Sequence, residues 1–182
     1  MTEVNTSPTE LVDYSSKARS GRDRQVYSDV GAREIAGCVP VDLKTGKVLL
    51  VSSRKRDGCW VFPKGGWEND ESITTAAMRE TWEEAGVKGE ITKFLGKFKR
   101  FKKIKKNTHK KRNLDIAEIS ENGKRYLHSE ILLYEMKVTE IAEDWPEKNE
   151  RERYWASYEE AKELTKGTNY VYEALGLCSI AH

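Results

Sequence analysis

Apolar and polar positions along the 182-residue chain follow two rhythms. Runs of apolar and β-branched residues at REIAGCVPV (33–41), KVLLVSS (47–53) and CWVF (59–62) predict three strands. DLKTGK, with Gly46, is a turn between the first two, and PKGG breaks the chain after the third. ITKFLGKFKRF (91–101) alternates in part, HSEILLYEMKV (128–138) predicts a long strand, and RERYWAS (151–157) another. Residues 72–85 change rhythm. Ile73, Ala76 and Ala77 recur at helical spacing, and Gly86 is placed to cap the helix. Ser157 and Glu160 form an S-x-x-E capping box that opens YEEAKELTK, and NYVYEALGLCSI predicts a third helix. Residues 102–124 read as a loop or irregular insertion, and no internal repeat is present. Strands mixed with two or three helices predict an α+β or α/β/α sandwich.

Length and composition fit one domain, residues 21–182, behind a polar and flexible tail, residues 1–20. The first 25 residues hold no apolar core, so they do not read as a secretory signal. Charged residues make up 34 % of the chain and mean hydropathy is −0.75. No stretch approaches the roughly 20 apolar residues that span a bilayer, so no membrane partner is expected. Cys38, Cys59 and Cys178 are few and far apart, which supports neither a disulfide framework nor a zinc site. A reducing compartment, cytosol or nucleus, follows.

The net charge of +2 hides an asymmetry. Eleven Lys or Arg fall between Ile91 and Arg112 with no acid among them, so the rest of the chain is net acidic. Such a block points either to an anionic partner or to a solvated insertion with no ligand.

The helix at 72–85 poses a chemical question. Its apolar stripe continues into positions 80, 83 and 84, and all three are glutamates. At about 100° per residue they share one face. Like charges this close repel one another, and a hard divalent cation resolves the repulsion. The alternative is a solvated acidic face paired to cations at i,i+4. Arg79 is the one cation in that stretch, which leaves the cluster poorly neutralised.

The wider spacing is more specific. From Gly65, five residues lead to Glu71, and seven more to Arg79-Glu80-Thr81-Trp82-Glu83-Glu84-Ala85-Gly86-Val87. This resembles the Nudix box, GX5EX7REUXEEXGU, at every fixed position. Thr81 departs from it by standing where an aliphatic residue is usual. The resemblance implies a Nudix α/β/α sandwich with a mixed β-sheet and hydrolysis of a nucleoside diphosphate linked to a further group, or of related pyrophosphates. Carried over by position, Glu80 and Glu84 would be the main Mg²⁺ ligands (with Mn²⁺ as the alternative ion). Glu83 would be a ligand or the general base. Arg79 would pair with Glu71 and orient the catalytic glutamates. Gly65 and Gly66 would let the backbone approach metal or phosphate, with a carbonyl at Lys64 or Gly65 as a further metal oxygen.

The flanks GARE-IAGC, KVLLVSSRKRDGCWVFPKGGWE, VKG and VTEIAEDWPEKNERERYWASYEEA resemble the diphosphoinositol polyphosphate phosphohydrolases, which also cleave diadenosine penta- and hexaphosphate and long-chain polyphosphate. GRDRQVYSDVGAR and RETWEEAGV resemble the fungal members best. By position the cleft cations would be Arg24, Arg33, Arg54, Lys55 and Arg151, with Ser53 beside them and Lys64 next to the glycines. The basic insertion serves either a polyphosphate chain or a nuclear address. His109 and His128 read either as phosphate contacts or, as a lone His more often is, as solvated or core residues; the tryptophans 60, 67, 82, 145 and 155 read either as stacking partners for a base or, for the most part, as packing residues. Two other readings stand beside this one: a Nudix mRNA-decapping or nucleotide-sugar hydrolase, whose basic run would meet RNA, and a non-catalytic Nudix domain that binds polyphosphate or RNA. The flanks count against the first and the complete glutamate set against the second.

Overall fold

A computed structural model of the chain describes residues 11–104, 118–120 and 123–181. Among these, eight strands form one mixed sheet: β1 (Arg33–Asp42), β2 (Lys47–Ser52), β3 (Trp60–Val61), β4 (Lys64–Gly66), β5 (Val87–Lys103), β6 (Glu118–Ser120), β7 (Gly123–Ile141) and β8 (Arg153–Ala156). The helices are α1 (Ile73–Ala85), α2 (Tyr158–Thr165) and α3 (Asn169–Gly176), followed by a 3₁₀ turn at Ser179–Ala181. None is long and apolar enough to cross a membrane.

The sheet path is β3-β2-β1-β7-β5, with β4 on β1, β6 on β7 and β8 on β2. β1 and β7 pair in parallel and the other pairs are antiparallel. These two central strands alternate between two cores, as a period of two requires. Ile35, Val39 and Val41 of β1, with Ile131 and Leu133 of β7, join the core that holds Val171 and Leu175 of α3. Ala36 and Cys38, with Tyr134 and Met136, join Ala76 and Ala77 of α1. Helices therefore cover both faces, which is the expected sandwich.

Both caps form as predicted. Gly86 stands at φ 64° and donates to the Trp82 carbonyl at 2.9 Å, a left-handed position that glycine adopts without strain. Ser157 Oγ accepts from the Glu160 amide at 3.3 Å, and the Glu160 carboxylate accepts from the Ser157 amide at 2.8 Å. α1 starts on Ser72, whose Oγ accepts from the Thr75 amide at 3.2 Å.

The boundaries need three corrections. PKGG does not only break the chain: Lys64–Gly66 pairs with Ile35–Gly37 of β1, a strand defined by backbone bonds that leaves no side-chain signal. β5 runs Val87–Lys103 and not 91–101, and β7 runs Gly123–Ile141 and not 128–138, because the two pair from Val87 and Ile141 down to Lys103 and Arg125 and β6 carries β7 on to Gly123. The expected insertion 102–124 is thus in part strand, at both ends and at β6. Residues 105–117 and 121–122 lie outside the described residues. Of the expected tail, residues 1–10 also lie outside them, while the Ser15 carbonyl accepts from Trp82 Nε1 of α1 at 2.9 Å.

Candidate active site

β4 and α1 meet where the glutamate face turns toward the sheet. Gly65 makes this approach possible: a Cβ built on it would stand 1.8 Å from Oε2 of Glu80. Arg79 lies beneath the carboxylates, 1 % exposed. Its Nη2 and Nε donate to the two oxygens of Glu71 at 2.7 and 2.9 Å, and Nη2 also donates to the Gly66 carbonyl at 3.1 Å. Its Nη1 donates to Glu80 at 2.9 Å and Glu83 at 3.3 Å. The planar fork therefore ties the start of the box to its end, a geometry a point charge does not supply.

Glu84 accepts from the Lys64 amide at 2.9 Å and from Arg151 Nη2. Arg151 also donates to Glu147 at 2.6 Å and to the Ser52 carbonyl at 3.0 Å. Glu147, whose amide donates to the Glu83 carbonyl at 3.0 Å, brings a further buried carboxylate to the cluster, beside Glu83 and Glu84. Thr81, the departure from the box, is fully buried and donates to the Ala77 carbonyl at 2.7 Å, so its hydroxyl is satisfied inside the helix.

The electrostatics follow from enclosure. Burial, against the pull of Arg79 and with the push of Glu84 and Glu83, raises the Glu80 carboxyl to about 8, although 13 % of its side chain opens to the cleft. Burial also raises Glu83, against Arg79, and Glu84, against Lys64 and Arg151. Burial alone would lower the Arg79 guanidinium, but its bond to Glu71 and the surrounding carboxylates hold it above its ordinary value.

Among the described residues no three acidic, imidazole or thiol side chains are already gathered as a metal shell; guanidinium groups and amides hold the carboxylates instead. The donor set still fits a hard dication. Glu80, Glu83 and Glu84 offer carboxylate oxygens at one end of the cleft, and the glycine cradle keeps the Glu80 carboxylate against the β4 backbone.

The cleft has a volume of about 550 Å³. It brings together Arg33, Ser53, Arg54, Lys55, Lys64, Gly65, Gly66, Glu80, Glu83, Glu84 and Arg151. Arg24 does not line it, because Asp70 takes its guanidinium at 2.7 Å and Glu68 lies at 3.5 Å. Arg54 lines it but is already paired, with Glu150 and with Glu147 at 3.3 Å. His128 faces Tyr126 edge-on at 6.0 Å on β7 and is not among the lining residues; His109 lies outside the described residues. Trp67 is a packing residue whose Nε1 donates to the Glu71 carbonyl at 2.8 Å.

Sequence spacing missed Arg19, Arg100, Glu147 and Tyr170 of the cleft wall. Arg100 stands over the Tyr170 ring at 5.8 Å, with Lys64 over the same ring at 5.9 Å. Only the basic run around Arg100 gave a signal for any of these.

Residues 31–175 match the NUDIX domain family. Nudix hydrolase 4 of Arabidopsis thaliana is 39% identical over 157 residues, which cover 81% of this chain and 66% of that protein. Nudix hydrolase 21, chloroplastic, of Arabidopsis thaliana is 38% identical over 174 residues, 93% of this chain and 77% of that protein. Diphosphoinositol polyphosphate phosphohydrolase 3-beta of Bos taurus is 32% identical over 140 residues, 75% and 71% of the two chains. A NUDIX hydrolase from Nitrosomonas europaea shares the fold, with a TM-score of 0.56 at 20% identity over 79% of this chain and 86% of that one. These plant and bovine relatives lend no support to the expected fungal type. The chain belongs to the Nudix hydrolase family, whose general reaction is the hydrolysis of pyrophosphate bonds in small phosphorylated substrates.

Proposed function

We propose that this protein hydrolyses phosphoric anhydrides in densely charged substrates: diphosphoinositol polyphosphates, diadenosine penta- and hexaphosphate, and inorganic polyphosphate. One observation carries the reading. Arg33, Lys55, Lys64 and Arg100 face one cleft, and among the described residues no carboxylate forms an ion pair with any of them. Burial lowers the Lys55 ammonium, and Arg33, Lys102, Arg100 and Lys64 lower it further. Cations gathered at this cost suit a ligand with several phosphates, which relieves their mutual repulsion. The name of the bovine relative supports the same substrate class.

Glu80, Glu84 and the Gly65 carbonyl would hold Mg²⁺, or Mn²⁺ in its place, with Glu83 beside them as the base. Mg²⁺, when bound, supplies charge neutralisation at the phosphoryl oxygens and a more acidic water. The cleft cations hold the phosphates and turn the anhydride toward the glutamates. Glu83 takes a proton from the attacking water; the bond from phosphorus to the bridging oxygen breaks, and the second phosphate leaves with that oxygen. Arg79 keeps Glu83 and Glu80 at fixed rotation throughout.

Calorimetry with inositol hexakisphosphate tests the cation set, because that probe carries no anhydride to cleave. Lys55→Ala and Arg100→Ala are each expected to weaken binding about tenfold, in line with a charge-assisted phosphate contact. Arg24→Ala, off the cleft, is expected to leave it within about twofold. Equal affinities in all three would remove the substrate assignment.

A further inference from the structure

A strap from Asp13 to Arg19 crosses the catalytic helix and is fastened at both ends. At one end the Tyr14 ring meets Trp82 edge-on, with centroids 5.8 Å apart, and the Ser15 carbonyl accepts from Trp82 Nε1 at 2.9 Å. Lys88 Nζ stands over both rings, at 5.1 and 5.0 Å. At the other end Arg19 Nη1 donates to Glu68 at 2.9 Å and to Asp70 at 3.1 Å. The strap is also folded on itself. The Ser15 amide donates to Asp13 Oδ1 at 3.1 Å, Ser15 Oγ to the Lys17 carbonyl at 2.6 Å, and Arg19 lies 3.7 Å from Asp13.

At the Arg19 end the backbone also reaches the residue that follows Trp82 on α1. The Arg19 amide donates to Oε1 of Glu83 at 3.2 Å. Arg79 Nη1 donates to the same oxygen at 3.3 Å. Two donors from different elements thus converge on Oε1, which fixes the carboxylate's rotation and leaves Oε2 for the cleft that Glu83 lines. The Arg19 guanidinium, although it lines that cleft, is already taken by Glu68 and Asp70, so the contribution of Arg19 to Glu83 is its backbone amide.

We propose that the Asp13–Arg19 strap is a positioning element for Glu83: it sets the orientation of that carboxylate through the Arg19 amide and so governs the rate of hydrolysis, not substrate affinity. The inference rests on the proposed role of Glu83 as the base. It makes Arg19 a positioning residue, one that acts through Glu83 without contacting the substrate. Loss of the strap frees one of two constraints on a carboxylate whose contribution depends on its alignment with the attacking water.

Two measurements on the full chain test it. The first reads the contact directly. By NMR hydrogen exchange, the Arg19 amide is expected to exchange at least about tenfold more slowly in wild type than in Glu83→Ala, as a hydrogen-bonded proton should. The second is steady-state kinetics on diadenosine hexaphosphate with Mg²⁺. Arg19→Ala unfastens one end of the strap and Trp82→Phe the other. Each is expected to lower kcat about tenfold with KM within about twofold, and Arg19→Lys, which keeps the ion pairs, to recover most of the loss. Circular dichroism confirms the fold of each variant. A raised KM at unchanged kcat would make Arg19 a substrate cation and overturn the proposal, as would unchanged kcat in both variants or an unprotected Arg19 amide. Full activity in Glu83→Gln would instead remove the role of Glu83 itself, and the proposal with it.

Discussion

Gly65 and the Glu80 carboxylate occupy adjoining space with no room for one more carbon: a Cβ on the glycine would lie 1.8 Å from Oε2 and 2.0 Å from Cδ of the glutamate. Glu80 cannot retreat freely, because Arg79 Nη1 holds its other oxygen at 2.9 Å. Gly65→Ala therefore displaces a carboxylate of the site while leaving both cores untouched. Turnover is expected to fall on the order of 10²-fold, the cost of misplacing a reacting group by about 1 Å. Titration calorimetry should show weaker Mn²⁺ binding in the same variant. Wild-type affinity and rate in Gly65→Ala would show that the close approach has no functional weight.

The helix glutamates differ in what their loss should do. Glu83→Gln removes the proposed base and should lower kcat by ~10²–10⁴-fold. Glu84→Gln removes a proposed cation ligand and should abolish hydrolysis, which adding Mg²⁺ will not restore. Far-ultraviolet circular dichroism should match wild type in both, since Gln fills the same volume.

Much of this site was legible because a helix imposes its own periodicity. Glu80, Glu83 and Glu84 lie on one face whatever the rest of the chain does, and the spacing from Gly65 through Glu71 to Arg79 gave the rest of the box. Glu147 and the strap were not legible. Glu147 arrives from a loop 64 positions after Glu83, and its acidic neighbours look the same as it does. Arg19 contributes an amide, which every residue but proline carries. β4 escaped for a related reason, since Lys64-Gly65-Gly66 shows no alternation and is a strand by virtue of its backbone partners in β1. The basic run hid the length of β5: its lysines are the solvent side of a strand whose Leu95 and Phe98 are buried.

Arg79 should resist conservative replacement. It is buried and holds both oxygens of Glu71. Lysine brings charge but no fork, and leaves buried acceptors unsatisfied. Arg79→Lys is expected to cost about 3–5 kcal/mol, the usual result of breaking a buried pair from one side. Urea denaturation measures it. In Glu71→Gln the same change should cost clearly less, because part of the penalty is the stranded Glu71 charge.

The raised carboxyls give the cation-free protein a defined pH dependence. The Glu80 carboxyl has its ordinary value of 4.5 in the unfolded chain and is raised to about 8 by burial in the folded one. Between those values the unfolded chain releases a proton that the folded one keeps. The stabilisation is complete below about pH 4.5, declines as pH rises, and is gone above about 8. In the absence of divalent ions, Tm should fall from about pH 5 to 8 and then level off. Added Mg²⁺ should raise Tm more at pH 8.5 than at pH 6 if the cluster is the proposed Mg²⁺ site, because carboxylates ligate a dication in their ionised form. A Tm that climbs over this range without metal would contradict the raised Glu80 carboxyl.

In the proposed function the cleft cations and the Glu80, Glu83 and Glu84 cluster act together on substrates crowded with phosphates. The most direct test is parallel turnover with Mg²⁺ of diphosphoinositol pentakisphosphate, diadenosine hexaphosphate, long-chain polyphosphate and capped RNA. The first three are expected to be cleaved at higher kcat/KM than capped RNA. Cleavage of capped RNA alone would keep the anhydride chemistry and refute the substrate assignment; no turnover of any of the four would contradict the proposed function outright.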